Sequence, residues 1–284
     1  MRKCLIMIWL AGLVLCGCKK ESPFKPIQAP EKPVVEAVGG EYVLMSYNVG
    51  VFNKHFETLG HYSFPEVASI ISSVKADVCG LNETDWGRAR SENQHQAELL
   101  ASSLGSNWGY RFVHAIDGNY GNSMVWKKDL EKVWEYPRVE IPKTDGSEVR
   151  SMFAVEFRDF VYCVTHLDHK SVADRRNGLA KITSWVEAQL GQLSKPVFLC
   201  GDFNDIPSGE SLSSLTSNWK MLSPNQFTFP ASSPKKCIDY ILVYGNEAGK
   251  RVKYLGGGVV TGAVNPTVQQ ASDHCPVWVR VKIE

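Results

Sequence analysis

Val197-Phe198-Leu199-Cys200-Gly201-Asp202-Phe203-Asn204 is the stretch on which the fold of this chain turns. An apolar run behind Pro196, closed by turn-forming Asp and Asn, predicts a buried strand at about Pro196–Cys200. Packing alone gives no reason for such a strand to end in Asp-Phe-Asn. Five other runs share the habit. Met45-Ser46-Tyr47 leads to Asn48, Val78-Cys79-Gly80-Leu81 to Asn82-Glu83, and Tyr162-Cys163-Val164-Thr165 to His166. Ile238-Asp239-Tyr240 opens a run, and Ser272-Asp273-His274 stands just before Pro276-Val277-Trp278-Val279. A single Asp or Asn after a strand is usually a turn former that bonds its own backbone. Six such endings are a different matter, because strands of one sheet bring their ends together. The set then becomes one patch of hard oxygen donors suited to a divalent cation, with two imidazoles for proton and phosphate work.

Outward from these runs the pattern alternates between strands and helices. A strand is expected at about Tyr42–Val49, and Ser63-Phe64-Pro65-Glu66 has capping-box spacing for a helix reaching about Val74. A strand at Asp77–Leu81 and a helix from about Asn93 to Leu104 follow, then antiparallel alternation between Trp108 and Phe157. The strand Phe160–Thr165 is followed by an amphipathic helix from about Val172 to Leu190. Later strands are expected at Ile238–Tyr244, Arg251–Gly256 and Pro276–Ile283. Arg175 and Arg176 read as helix surface, and Asp168 as a turn former after His166. This order of elements permits an α/β (α+β) domain of two facing sheets with helices outside.

The 284 residues suit one large domain, and 44% apolar with 21% charged residues is ordinary for a globular protein. Arg2 and Lys3 before the apolar Cys4–Leu15 read as a targeting signal, too short to span a bilayer comfortably. Residues 1–17 are taken as that signal, 18–40 as an extended tether carrying Pro23, Pro26, Pro30 and Pro33, and 41–284 as the catalytic domain. Without Arg2 and Lys3 the chain holds 29 basic against 30 acidic side chains, a net charge of −1. A tight sequence-independent DNA binder usually shows a basic footprint, which this total lacks. Cys79, Cys163, Cys200, Cys237 and Cys275 are odd in number and without a C-x-x-C pair. They read as free buried thiols, with a Cys237–Cys275 pair as the alternative, and a thiolate zinc site is not expected.

The ordered tracts Met45-Ser46-Tyr47-Asn48-Val49, Leu81-Asn82-Glu83-Thr84, Thr165-His166-Leu167-Asp168, Gly201-Asp202-Phe203-Asn204-Asp205, Ile238-Asp239-Tyr240 and Ser272-Asp273-His274 resemble those of the endonuclease/exonuclease/phosphatase superfamily. The resemblance runs from about Glu41 to the C-terminus and implies a DNase I-like, four-layer αββα sandwich with two mixed β-sheets. It implies a Mg2+ site, with Mn2+ as a substitute, built from Glu83, Asn48 and Asp273. It further implies a hydrolase of phosphodiesters or phosphomonoesters. Asp202 is expected to orient or deprotonate the attacking water, with His274 as the alternative proton acceptor, Asn204 to bond a non-bridging oxygen, Asp239 to pair with His274 and favour its cation, and His166 to contact phosphate. Arg88 and Arg90 offer a clamp on substrate phosphate or stand as solvated surface residues. In DNase I-like nucleases a carboxylate orients the counterpart of His166. Here the nearest matching tract is Tyr120-Gly121-Asn122-Ser123, so Asn122 is expected to bond imidazole or phosphate, which points away from a DNase I-type nuclease. Leu15-Cys16-Gly17-Cys18 resembles a bacterial lipobox and implies lipid on Cys18, hence a monomer anchored outside the cytoplasmic membrane. A plain secretory signal is the alternative. The candidate substrates are nucleic acid, sugar phosphate and lipid headgroup. A non-catalytic binding lipoprotein on the same fold is the reading from another class.

Overall fold

Two mixed β-sheets lie face to face in the computed structural model, which describes residues 32–54, 56–57, 60–116, 119–215 and 218–284. The expected signal, Cys18 and the tether up to residue 31 lie outside the described residues. The strands of the described residues are β1 (Gly40–Asn48), β2 (Val78–Asp85), β3 (Trp108–Ile116), β4 (Tyr120–Lys127), β5 (Lys132–Glu135), β6 (Val139–Ile141), β7 (Arg150–Phe157), β8 (Val161–His166), β9 (Val197–Asp202), β10 (Trp219–Met221), β11 (Asp239–Tyr244), β12 (Val252–Val259) and β13 (Val277–Ile283). The first sheet runs β12-β13-β1-β2-β4-β3 and the second β10-β11-β9-β8-β7-β5, with β6 paired to β7. Each sheet has one parallel pair, β1–β2 and β8–β9, and the remaining pairs are antiparallel. Parallel neighbours need a crossover. The helices α1 (Phe64–Ser73) and α3 (Val172–Leu190) supply it, with α2 (Gln96–Leu104) beside α1 and the short α4 (Glu210–Ser213) beyond β9.

Burial divides the molecule into layers. Val67, Ile70, Ile71 and Leu100 of α1 and α2 join the core of the first sheet, while Leu179, Ile182, Val186 and Leu190 of α3 cover the outer face of the second. The resulting αββα sandwich is the architecture that the resemblance implies. Side chains alternate along a strand, so one stripe of each strand faces the gap between the sheets. Tyr162 and Val164 on β8, Phe198 and Cys200 on β9, and Val243 and Ile241 on β11 belong to that inner core. Their neighbours Cys163, Leu199 and Leu242 lie under α3. Continued one step, the inner stripe reaches His166, Asp202 and Asp239. The site is the core pattern run off the end of the sheet.

The gap between the sheets is narrow beside this rim. A Cβ at Gly80 would collide with Cys200 Sγ and Val164 of the facing sheet, so only glycine allows β2 and β9 to come so close. Tyr162 Oη crosses the gap to donate to Met45 O at 2.8 Å. All five described cysteines are buried and free.

Several local expectations change. Ser63 does not cap α1: its Oγ donates to Phe52 O at 3.0 Å and Ala271 O at 2.7 Å, so loop anchoring takes the hydroxyl. α2 starts at Gln96 rather than Asn93, because Glu92 and Asn93 take left-handed backbone angles (φ 54° and 56°). Arg175 is buried rather than on the helix surface, donating to Asp168 O and Ser211 Oγ at 3.0 and 3.2 Å. Within the expected tether, Val38 N–H and Gly39 N–H both donate to Asp159 Oδ1, so the chain is held before β1 begins. No helix among the described residues is long and apolar enough to cross a membrane.

Candidate active site

Sheet register carries the functional side chains to one place. Asn48 pairs with Asn82 across β1–β2, His166 with Asp202 across β8–β9, and Asp202 with Asp239 across β9–β11. Partners in register point to the same side of a sheet. The pair from the first sheet therefore faces the three from the second across the gap. Glu83 follows Asn82 and would point the other way in a regular strand. The β2–β4 register slips between Leu81 and Thr84, and Glu83 sits in that bulge at φ 58°. A bulge re-aims one side chain, and Glu83 turns to meet Asn48.

Asn48 joins the two carboxylates. Its Nδ2 donates to Glu83 Oε1 at 3.0 Å and to Asp202 Oδ2 at 3.1 Å, while its Oδ1 accepts Gly50 N–H at 3.1 Å. Because a backbone N–H can only donate, the oxygen and nitrogen of this amide are assigned without ambiguity. The nitrogen faces the site. Asn82 does the equivalent work behind Asp202: its Oδ1 accepts Asp202 N–H, and its Nδ2 donates to Thr165 O and Asn122 Oδ1, each at 2.8 Å. One fully buried amide thus clips β2 to both β8 and β9.

Asp202 is deeply buried and under-compensated. Its Oδ1 accepts Asn204 N–H at 2.8 Å, and its Oδ2 lies 3.5 Å from His166 Nε2 and 3.7 Å from His274 Nε2. Burial, reinforced by the neighbouring Asp239 carboxylate, pushes its pKa up to about 7. His274 moves the opposite way from what burial alone would do. Burial lowers it, but Asp239 Oδ2 at 2.9 Å from Nδ1, together with Asp202 and Asp273, raises it to about 10. His274 is therefore an imidazolium at neutral pH, held between two acids and set 4.8 Å from the Phe229 ring. Its loop is fixed by Ser272, whose Oγ donates to Asn48 O at 2.7 Å and accepts His274 N–H at 3.1 Å.

His166 meets a donor that the sequence did not single out. Arg150 Nη1 lies 3.2 Å from its Nδ1, and Asn204 Nδ2, which also donates to Leu167 O, lies 3.1 Å from its Nε2. Asn122 lies outside the cavity. Its oxygen accepts from Asn82 and its nitrogen donates to Ser151 O at 3.1 Å, so both amide atoms are committed to joining strands and neither contacts the imidazole. Arg150 carries no local signal because it opens β7 with no chemistry-bearing motif around it, and Asn82 carries none because the adjacent Glu83 already marks the polar end of that run. The only sequence hint for Arg150 was a charge at the mouth of the apolar run Met152–Val155.

A cavity of about 660 Å3 opens over these residues. Glu83, Asp202, Asp273 and His274 line one side, with Arg88, Arg90, Arg150, His166, His169 and Lys236 also exposed to it. Arg90 is tied by a two-pronged bond to buried Asp85, both distances 2.8 Å, and stacks 4.9 Å over Tyr120. Arg88 has no side-chain partner among the described residues. Asp168 both forms the turn after His166, accepting Lys170 and Ser171 N–H, and clasps Ser147 of the loop before β7.

The donor set suits a hard divalent cation. Glu83 and Asp273 offer carboxylate oxygen to the cavity, Asp239 Oδ1 is buried without a hydrogen-bond partner, and the five cysteines are elsewhere in the core. Asp202, Asp239 and His274 also have ligand atoms within 4.8 Å of one another. Glu83 and Asp273 are two further carboxylates that line the cavity.

Residues 45–274 match the model of the Endonuclease/Exonuclease/phosphatase family. Its fold is similar to that of a protein of this family from Bacteroides thetaiotaomicron, with TM-score 0.68 and 18% identity over 87% of this chain and 99% of the other. It is similar to a mannosyl-6-phosphatase of the same organism, with TM-score 0.65 and 18% identity over 84% and 99%. ANGEL2, a 2′,3′-cyclic phosphatase, gives TM-score 0.64 and 16% identity over 90% and 99%. No curated protein sequence matches the chain.

Proposed function

The chain belongs to the Endonuclease/Exonuclease/phosphatase family, and on that footing we propose that it is a Mg2+-dependent phosphoester hydrolase acting by in-line attack of water. One observation carries the reading: a buried carboxylate, Asp202, lies within 3.7 Å of two imidazoles, next to a second carboxylate, Glu83, that a bulge turns into the same cavity. Asp202 takes the proton from the attacking water, which bonds phosphorus as the ester P–O bond opposite it breaks. The His274 imidazolium, kept charged by Asp239, stabilises the negative charge gathering on the phosphoryl oxygens. Asn204 and His166 bond non-bridging oxygens. Glu83 and Asp273 hold the cation, and Asn48 keeps Glu83 and Asp202 in place through its amide nitrogen. Bound there, Mg2+ supplies Lewis-acid stabilisation to the phosphoryl and leaving oxygens.

A small phosphorylated molecule, such as a sugar phosphate, fits the observations better than a nucleic acid or a lipid headgroup. The cavity of about 660 Å3 has the size of a single-ligand site. The overall charge is close to neutral, and Arg90 is already engaged by Asp85. The structural neighbours that act on a mannosyl phosphate and on a 2′,3′-cyclic phosphate are consistent with phosphoester chemistry at this fold. We place the enzyme outside the cytoplasm as a monomer, lipid-anchored through Cys18.

The test uses protein from about Glu21 onward, with Mg2+ or EDTA, against p-nitrophenyl phosphate, bis-p-nitrophenyl phosphate, plasmid DNA, sphingomyelin and a panel of sugar phosphates. Mg2+-dependent cleavage of sugar phosphates is expected, abolished in Glu83→Ala and Asp202→Ala. Cleavage of plasmid DNA alone would replace the sugar-phosphate reading, and activity surviving both substitutions would remove the mechanism. Failure on every substrate would favour a binding protein.

A further inference from the structure

Arg150 is an unusual neighbour for a histidine that handles phosphate. It is only 3% exposed, and its guanidinium spans two imidazoles, with Nη1 3.2 Å from His166 Nδ1 and Nη2 3.3 Å from His169 Nδ1. Glu148 Oε1, 2.9 Å from Nη1, holds the charge in place. The loop before β7 is itself clamped. Asp174 Oδ2 accepts the N–H groups of Thr144, Asp145 and Gly146, and Asp168 Oδ2 accepts Ser147 N–H and Oγ–H. Arg150 thus enters the site from a fixed backbone, tied to the same turn that follows His166.

Every nitrogen of an arginine donates and none accepts. A hydrogen on His166 Nδ1 would set two N–H groups face to face at 3.2 Å. On the other side of the ring an acceptor is present, Asp202 Oδ2 at 3.5 Å from Nε2. Asn204 Nδ2 also approaches Nε2, at 3.1 Å, but it is a neutral amide and the weaker donor beside the charged guanidinium on Nδ1.

We propose that Arg150 is a positioning residue that fixes His166 as the neutral tautomer with its hydrogen on Nε2. An N–H, not a lone pair, then faces the cavity and is presented to a phosphoryl oxygen. His166 is a hydrogen-bond donor to substrate, and the water's proton is left to Asp202. This deepens the phosphoesterase reading and rests on it for its catalytic meaning, whereas the tautomer itself can be read without any substrate.

The experiment is long-range 1H–15N correlation of the imidazoles in 15N-labelled protein at a pH where His166 is neutral, assigned through His166→Gln and accompanied by kinetics. The wild type should show hydrogen on Nε2. Arg150→Met should let the Nδ1–H form appear and lower kcat by about 10–100-fold, the range seen when the partner orienting a functional histidine is removed, with KM changed by less than about threefold. Arg150→Lys should restore the tautomer and most of kcat, because an ammonium also only donates. Arg150→Gln should not, because its amide can turn its oxygen to the ring and accept from Nδ1–H. A wild-type spectrum with hydrogen on Nδ1 would overturn the proposal. So would an unchanged spectrum in Arg150→Met, or Gln restoring function as well as Lys. Hydrogen on Nε2 in a protein that hydrolyses nothing would remove the phosphoesterase reading and leave the hold of Arg150 on the ring intact.

Discussion

Asp159 and Asp202 are each 2% exposed, at opposite rims of the same sandwich, and the surroundings treat them in opposite ways. Asp159 sits between β7 and β8 where the chain enters β1. Burial raises its pKa, but donors outweigh burial: Val38 and Gly39 N–H, the Tyr42 hydroxyl and Arg158 hold the carboxyl below its ordinary range. Asp202 receives the Asn48 amide and Asn204 N–H, faces a second carboxylate, and is pushed up to about 7. A buried acid whose lone pairs are filled is a structural joint. One left short of donors, beside another acid, has room for a cation or a proton, which is what chemistry requires. The difference separates stability from function along a single inner core.

The largest expected contrast is in turnover. Asp202→Asn should reduce kcat/KM by about 10³-fold or more on the best substrate, within the range of a lost general base. Asp159→Asn should leave it within about twofold. Equal losses in both variants would erase the distinction between the two rims.

Stability should run the other way. Asp159→Ala leaves two backbone N–H groups and Tyr42 Oη without their acceptor. It should lower stability by about 2 kcal/mol, a fall in Tm of about 4–8 °C for a domain of this size. Asp202→Asn should raise the Tm of metal-free protein at pH 8, because it removes an uncompensated charge. A lower Tm in Asp202→Asn at that pH would contradict the account of its burial.

The pH dependence sharpens this. The folded pKa of Asp202, about 7, lies above the ordinary 3.8, so its stabilising contribution is full below 3.8 and is lost as pH rises through 7. The Tm advantage of Asp202→Asn over wild type should therefore be near zero below about pH 4, grow from there, and level off above 7. His274, raised from 6.5 to about 10, contributes stability in full below 6.5 and loses it as pH rises through 10. Asp159, lowered from 3.8, contributes above 3.8 and fails only as pH falls through its depressed value. Thermal melts of the metal-free protein from about pH 2 to 11 separate the three.

Smaller effects belong to the supports. Asn82→Ala removes the clip between Asp202 and the strands beside it, and should lower kcat by about 10-fold with a modest change in KM. Arg90→Lys loses one prong of the bond to Asp85 at a half-exposed position. It should change stability by less than about 1 kcal/mol. A drop in kcat/KM beyond about 10-fold in Arg90→Lys would make Arg90 a substrate contact after all.

Much of this was legible in the residues. The apolar runs gave strands close to those observed, and Val172–Leu190 is a helix over the expected span. Asn48, Glu83, His166, Asp202, Asn204, Asp239, Asp273 and His274 were recognisable because each interrupts an apolar run where packing would not place it. Supporting residues left no such mark. Asn82 looks like the flank of Glu83, Arg150 like any charge before a strand, and Asn122 like a contact for imidazole or phosphate, although it joins β4 to β7. Their roles depend on which atom of an amide or guanidinium faces which neighbour, and neighbours distant in sequence have no local signature.

What the sequence determined by itself was the composition of the site and the layered core, since alternation of apolar residues follows from strand geometry alone. Tertiary structure alone decided the arrangement: which carboxylates share a cavity, the bulge that turns Glu83, the amide nitrogen that Asn48 presents, and the arginine on His166. The physical reason is range. Alternation is a property of adjacent residues, whereas the fate of a buried charge depends on donors brought from more than 100 positions away, as the Asn48 amide is brought to the Asp202 carboxylate.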